Sequence, residues 1–149
     1  INFINSVGEN ITLDIKNAMA DAVDADFSNL SFTNINIANA GNDCFDMSGG
    51  KYEIRNANFD GCNDKALSVG EKSTFKADNL IVKNTNIAIS AKDLSKVLIS
   101  TLDAENINLC AEVKRKKQEF GGARLEINNH KCLSMVDVDN ESRFYKTNL

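Results

Sequence analysis

The stretch Asn42–Ser73, NDCFDMSGGKYEIRNANFDGCNDKALSVGEKS, states one pattern twice. Asp43-Cys44-Phe45-Asp46-Met47-Ser48 returns 22 residues later as Lys65-Ala66-Leu67-Ser68-Val69-Gly70. A period of this length decides the architecture, so it is sought before any secondary structure. Stepping outward by 22 residues arranges the chain in columns. Ile1, Val23, Phe45, Leu67, Ile89 and Ala111 form one apolar column, and Phe3, Ala25, Met47, Val69, Ala91 and Val113 a second. Between them runs a polar column, Asn2, Asp24, Asp46, Ser68, Ser90 and Glu112. Apolar–polar–apolar is the period-2 signature of a strand with one buried face.

Two further strand-like pieces fill each repeat. Leu13/Ile15 recur as Ile35/Ile37 and then, with a one-residue slip, as Ala57/Phe59, Leu80/Val82 and Leu102/Ala104. The other set is Leu30/Phe32, Tyr52/Ile54, Phe75/Ala77 and Val97/Ile99. Asn34, Asn56 and Asn79 stand just before a strand, with Thr101 in the same place one repeat on. Asn17, Asn39, Asn84 and Asn106 stand just after one, with Asp60 and Gly61 substituting in the Phe59 repeat. Asparagine tolerates the left-handed backbone of a sharp corner, and stacked asparagines can hydrogen-bond from coil to coil. Such a unit cannot bury its inner face alone. Stacked coils can, because each strand then pairs with its counterparts about 4.8 Å above and below. The expected fold is therefore all-β: a parallel solenoid of about six coils, each of about 22 residues with three short strands.

The columns resemble the right-handed parallel β-helix repeat of the pectate-lyase-like superfamily, over roughly residues 1–113. The right hand follows from that resemblance and from the crossover rule for parallel strands. The segment Asn42–Ser73, with Gly70-Glu71-Lys72-Ser73, is also similar to β-helix tracts of uncharacterised bacterial surface and capsule-associated proteins. Some of those tracts accompany spore-coat-type kinase-like domains. Both resemblances imply an extracellular or cell-surface address.

The period breaks after Val113. Lys114 to Gly122 carry a basic inserted loop, and the pattern resumes at Leu125 and Ile127 with Asn129 in the asparagine column. His130 then takes the place of Leu80, as a core or partly buried histidine, and Cys132 the place of Val82. After Ser142, Phe144 and Asn148 read as the start of one more coil. One domain, 1–149, is expected, a fragment of a longer chain: regular coils 1–113, inserted loop 114–122, and irregular last coils 123–149. An uncapped β-helix exposes unpaired backbone at its ends, so a partner, a tail or further coils should cover at least one of them. End-to-end or trimeric self-association would serve.

The chain of 149 residues is long enough for one sizeable core. Its net charge of −4 argues against nucleic acid, whose binding is mainly Lys and Arg work. No apolar run approaches a membrane span. The four cysteines, Cys44, Cys62, Cys110 and Cys132, fit no zinc spacing. Cys44 and Cys110 share a column with Ala22, Ala66 and Ala88 but lie three coils apart, roughly 14 Å, beyond disulfide reach. Cys62 falls in a turn column and Cys132 in a core column, so four free thiols are expected, as small apolar fillers. Free thiols count against an extracellular address.

Chemistry would sit on the acidic face. Asp24 and Asp46 are neighbours in one outward column, about 4.8 Å apart along the axis. Asp21, Asp26, Asp43 and Asp64 flank them. Close carboxylates raise one another's pKa or bind a hard cation such as Ca²⁺. In pectin-active β-helices, catalytic acids and calcium ligands project from such a face, so the resemblance makes Asp24, Asp46 and Asp43 catalytic candidates, with Asp24 and Asp46 candidates for Ca²⁺. The competing reading is that Asp43 and Asp64 are ordinary turn residues. The Asn-x-Asp, Asp-Asp, Gly-His-Gly and Arg-x-Lys set of polygalacturonase-like enzymes is not complete: Arg115-Lys116-Lys117 lies on the inserted loop with no matching acid pair on the neighbouring coil, and no residue matches the pectate-lyase arginine base. Lys114, Arg115, Lys116 and Lys117 could contact an anionic polysaccharide, or form a solvated loop that guards an edge. Mixed outward columns such as Ser31/Glu53/Lys76/Leu98 exclude the flat threonine array of an ice-binding surface.

Two functions follow. The first is a non-catalytic β-helix module of a surface or secreted protein, binding carbohydrate or acting as a spacer. The second is a polysaccharide lyase or glycoside hydrolase acting on an acidic polysaccharide through the Asp24/Asp46 face. A trimeric tailspike-like fragment is a third reading.

Overall fold

A computed structural model describes residues 1–147 of the chain. It is an all-β solenoid of about seven turns with parallel strands stacked about 22 residues apart, one turn more than the period suggested. The strands are β1 (Asn2–Ile4), β2 (Val7–Ala18), β3 (Val23–Ala40), β4 (Phe45–Cys62), β5 (Lys65–Gly70), β6 (Thr74–Lys92), β7 (Lys96–Lys114), β8 (Arg124–Lys131), β9 (Met135–Val138) and β10 (Arg143–Lys146). The three short strands expected per coil merge, because the hydrogen-bond ladder continues round the corners. The 18 residues of β3 thus follow all three sides of one coil. Among the described residues no helix is long and apolar enough to cross a membrane.

Register follows the columns. Val23 pairs with Phe45, Phe45 with Leu67, Leu67 with Ile89 and Ile89 with Ala111. Leu30, Tyr52, Phe75 and Val97 stack on the second side, and Ile35, Ala57, Leu80 and Leu102 on the third. These residues form one continuous buried core. Parallel pairing explains it: each inward side chain lies over an inward side chain, so apolar columns become filled stripes. Near the N-terminal end, Phe3, Phe32, Phe45 and Tyr52 meet edge to face, with ring centroids 5.4–6.3 Å apart. The buried Tyr52 hydroxyl sits 2.9 Å from the Ala25 carbonyl and 2.8 Å from that of Gly49, and accepts from the Ser28 N–H.

The corners are set by backbone sign. Asn17, Asn39, Gly61, Asn84 and Asn106 are all left-handed, with φ between 52° and 73°. Their amides form a ladder, Asn39 to Asn17 at 3.1 Å and Asn106 to Asn84 at 2.7 Å, with the Asp60 carboxylate accepting from Asn84 at 2.7 Å. A second ladder joins Asn79 to Asn56 and Asn56 to Asn34. The one-residue slip also has a local cause. Three residues, Glu71, Lys72 and Ser73, turn the corner between Gly70 and Thr74, where Gly49 and Gly50 alone turn it between Ser48 and Lys51. Ser48 therefore still pairs with Gly70, but Lys51 pairs with Thr74.

The cysteines differ from expectation. All four are paired, as Cys44–Cys62 and Cys110–Cys132, with Cα atoms 5.4 and 6.1 Å apart. Cys44 opens a coil and Cys62 closes the same coil, so the chain's return brings them together within 18 residues. Cys62 is no turn residue: it is 1% exposed and stacks on Ala40. Cys132 reaches Cys110 because the last coil cuts a corner. The separation of paired residues falls from 28 (Asp103 to Lys131) to 25 (Ala111 to Val136).

His130 does take the Leu80 position, lying over Leu102, and is half-buried. Burial, with the Lys146 ammonium, holds its pKa below the usual value. Phe144 begins another coil over Leu125. Asn148 lies outside the described residues.

Candidate functional site

The first side of each coil carries the candidate acids. Asn2, Asp24, Asp46, Ser68, Ser90, Glu112 and Asp137 form its outward column by register. Asp24 and Asp46 are direct neighbours, as their spacing implies. Partial burial holds the Asp24 carboxyl above the ordinary carboxylate range, and the Asp26, Asp46 and Asp21 charges push the same way. Among the described residues, no group of three or more acidic, histidine or cysteine side chains is arranged to hold a metal ion.

The remaining acids serve the backbone. The Asp21 carboxylate accepts from the Asn42 amide at 2.7 Å and from the Asp43 N–H at 2.9 Å. Asp43 does the same one coil later, accepting from the Lys65 N–H at 3.0 Å with the Lys65 ammonium 3.6 Å away. Burial pushes the Asp43 carboxyl up, against the pull of Lys65. Asp64 is ion-paired with Lys65. Asp21 and Asp43 are the turn residues of their repeats and each ties one coil to the next, whereas Asp64 pairs with its own chain neighbour.

Further along the same side, polar groups are closed in. Ser68 and Ser90 point outward by period, yet both are fully buried. The Lys92 ammonium donates to the Ser68 hydroxyl at 2.7 Å. The Ser90 hydroxyl donates to Glu112 at 2.6 Å, and Lys114 meets the other Glu112 oxygen at 2.5 Å. Burial holds Lys92 below the usual lysine range, with the nearby Asp46 charge opposing. Burial would raise Glu112, but hydrogen bonds from Lys114 and Ser90 outweigh it and hold the carboxyl below its ordinary value. A lowered acid stabilises the fold above its unfolded pKa, and that contribution fades as pH falls through the folded pKa. Glu112→Gln should therefore cost about 1 kcal/mol at neutral pH, discounted because the Lys114 side chain is 39% exposed. The difference from wild type should shrink below about pH 4.5, read from urea midpoints across pH. An unchanged difference at low pH would remove Glu112 from this network. Sequence reasoning missed the cluster. Its one signal was a serine–serine–glutamate run in the outward column with lysines two residues further on.

The basic loop is folded down onto acids. Lys114 pairs with Glu112, Arg115 with Glu141 at 2.8 Å, and Lys117 with Glu71. The N–H groups of Lys116 and Lys117 both donate to Asp93, at 2.7 and 2.8 Å. Three of its four cations thus have carboxylate partners within the chain, and Lys116 is exposed. The acidic face and the basic loop share one side of the solenoid at its opposite ends. Comparison with protein-family models, with curated proteins and with solved structures finds no match.

Proposed function

We propose that the chain is a non-catalytic, disulfide-stapled β-helix module of a surface or secreted protein, a rigid rod that presents its flat sides to carbohydrate. The observation that carries this reading is the use of Asp21 and Asp43 as coil-to-coil ties, which turns one of the three catalytic candidates, Asp43, into scaffold. Two disulfides support an oxidising compartment, where such bonds persist. Right-handed winding and kinship with the pectate-lyase-like superfamily belong to the same proposal, as does self-association through the coil ends.

A polysaccharide lyase or glycoside hydrolase is the second reading, favoured by the raised carboxyl of Asp24 beside Asp46. Such a carboxyl could move a proton, and the pair could take Ca²⁺. The test is turnover of a panel of acidic polysaccharides, with and without calcium, by the protein and by D24N/D46N. The expected result is polysaccharide retention without turnover. Turnover that disappears in D24N/D46N would overturn the module and install the enzyme.

A further inference from the structure

The second side of the coils, opposite in character to the acidic one, holds an arrangement that the scaffold does not require. By register, Lys51, Thr74, Lys96, Arg124 and Arg143 follow one another up a single outward column. Lys76 and Arg55 lie in the two columns beside it. All six cations are exposed. Four carboxylates accompany them, Glu9, Glu53, Asp78 and Glu126, so this side is still net positive on a chain whose formal charge is −4.

Like charges directly opposed on neighbouring strands are destabilising. Lys96, Arg124 and Arg143 are nevertheless stacked on successive strands; among the described residues Glu126 is the one carboxylate paired with them, 3.2 Å from Arg124, whose guanidinium also lies over the Tyr145 ring. The third side shows the ordinary alternative: Lys83 lies over Glu105 and bonds to it at 3.3 Å. A like-charged ladder kept against its own repulsion points to an external anion.

The surface there is also concave. Three depressions of about 250, 250 and 270 Å³ run along this side. The first two share Ser31 and Glu53, and the first and third share Lys76, so together they form one trough parallel to the solenoid axis. Its rungs, all cationic but Thr74, repeat with the coil, about 4.8 Å apiece. That is the scale on which a linear pyranose chain presents successive rings.

We propose that this trough binds a linear acidic polysaccharide, laid along the axis with its carboxylates on the Lys51–Arg143 column. The inference rests on the carbohydrate-binding reading above and adds the face and the charge of the ligand. A polysaccharide fits better than a nucleic acid, because Glu53 and Asp78 between the cations accept from sugar hydroxyls but repel a continuous phosphate chain. The inserted loop is a poorer site, since three of its cations are already paired within the chain.

Binding of polygalacturonate, of its fully methyl-esterified form and of duplex DNA, read by titration calorimetry at two ionic strengths, tests the proposal. Lys76→Glu/Lys96→Glu changes two exposed side chains that line one depression, and Lys116→Glu changes the loop. Polygalacturonate should bind, more weakly at high salt. The Lys76/Lys96 variant should weaken it by about tenfold, and Lys116→Glu should leave it unchanged. Undiminished binding by the Lys76/Lys96 variant would overturn this face while sparing the carbohydrate-binding reading. Preference for the methyl ester would do the same. DNA binding as tight as polygalacturonate would overturn the ligand assignment. Failure to bind any of the polysaccharides would sink both.

Discussion

Phe45→Ala should remove about 3–5 kcal/mol of folding stability, the cost of emptying a large buried site that cannot collapse. Phe45 is fully buried and lies in register between Val23 and Leu67. Its ring meets Phe32 at 5.4 Å and Tyr52 at 6.3 Å, so deletion also breaks an aromatic chain through the first coils. Position along the rod matters as much as volume. In a solenoid each coil contacts only its neighbours, so stability is a sum of coil terms and interface terms. A void at Phe45 weakens interfaces in the interior of the rod. The same truncation at Ile11, half-buried in the first coil, removes contacts on one side only and should cost about 1–2 kcal/mol. Guanidinium unfolding followed by circular dichroism would measure both. Equal losses at the two sites would mean that the chain unfolds as one block and that the coil-by-coil picture is wrong.

That prediction draws on the part of the structure most legible in the residues. Phe45 over Leu67 needs only the period, because parallel stacking puts like positions on one another and packing enforces it. The corner asparagines were legible for a similar reason: few residues other than glycine accept the left-handed backbone found at Asn39, Asn84 and Asn106. Placement on a side was legible too, so Asp24 and Asp46 meet as expected. What those carboxylates bond to was not. Whether an aspartate ties a backbone N–H, as Asp21 and Asp43 do, depends on corner geometry that periodicity does not carry. The burial of Ser68 and Ser90 beside Lys92 was hidden likewise, since a period-2 reading sends both outward. The cysteines failed for a different reason. Column arithmetic compares residues at the same phase of different coils and excludes Cys44 with Cys110. Cys44 and Cys62 lie at different phases of one coil, and a closed coil returns its end to its beginning.

Removal of the Cys44–Cys62 bond as Cys44→Ala/Cys62→Ala should cost about 3 kcal/mol, the chain-entropy value for a loop of this length. Two alanines fit the space, because Ala22, Ala66 and Ala88 occupy buried positions of the Cys44 column and the buried Ala40 stacks on Cys62. The loss therefore isolates the cross-link from packing. Its action is local: the bond fastens one coil into a closed ring and restricts that coil alone in the unfolded chain. The Cys110–Cys132 bond closes a step of 22 residues and should contribute similarly by loop length. The two differ in access. Cys44 and Cys62 are both buried, whereas Cys132 is half-buried in the last described turns. Since thiolate attack needs a reachable sulfur, limiting reductant should open Cys110–Cys132 first, detected as alkylation of those two thiols by mass spectrometry. Full reduction should then lower the unfolding midpoint by more than the partial step does. Simultaneous alkylation of all four cysteines under native conditions, or an unchanged midpoint after full reduction, would contradict the staples as drawn. A rod that holds its midpoint only while oxidised is suited to an oxidising compartment, so the same titration weighs on the proposed surface or secreted address.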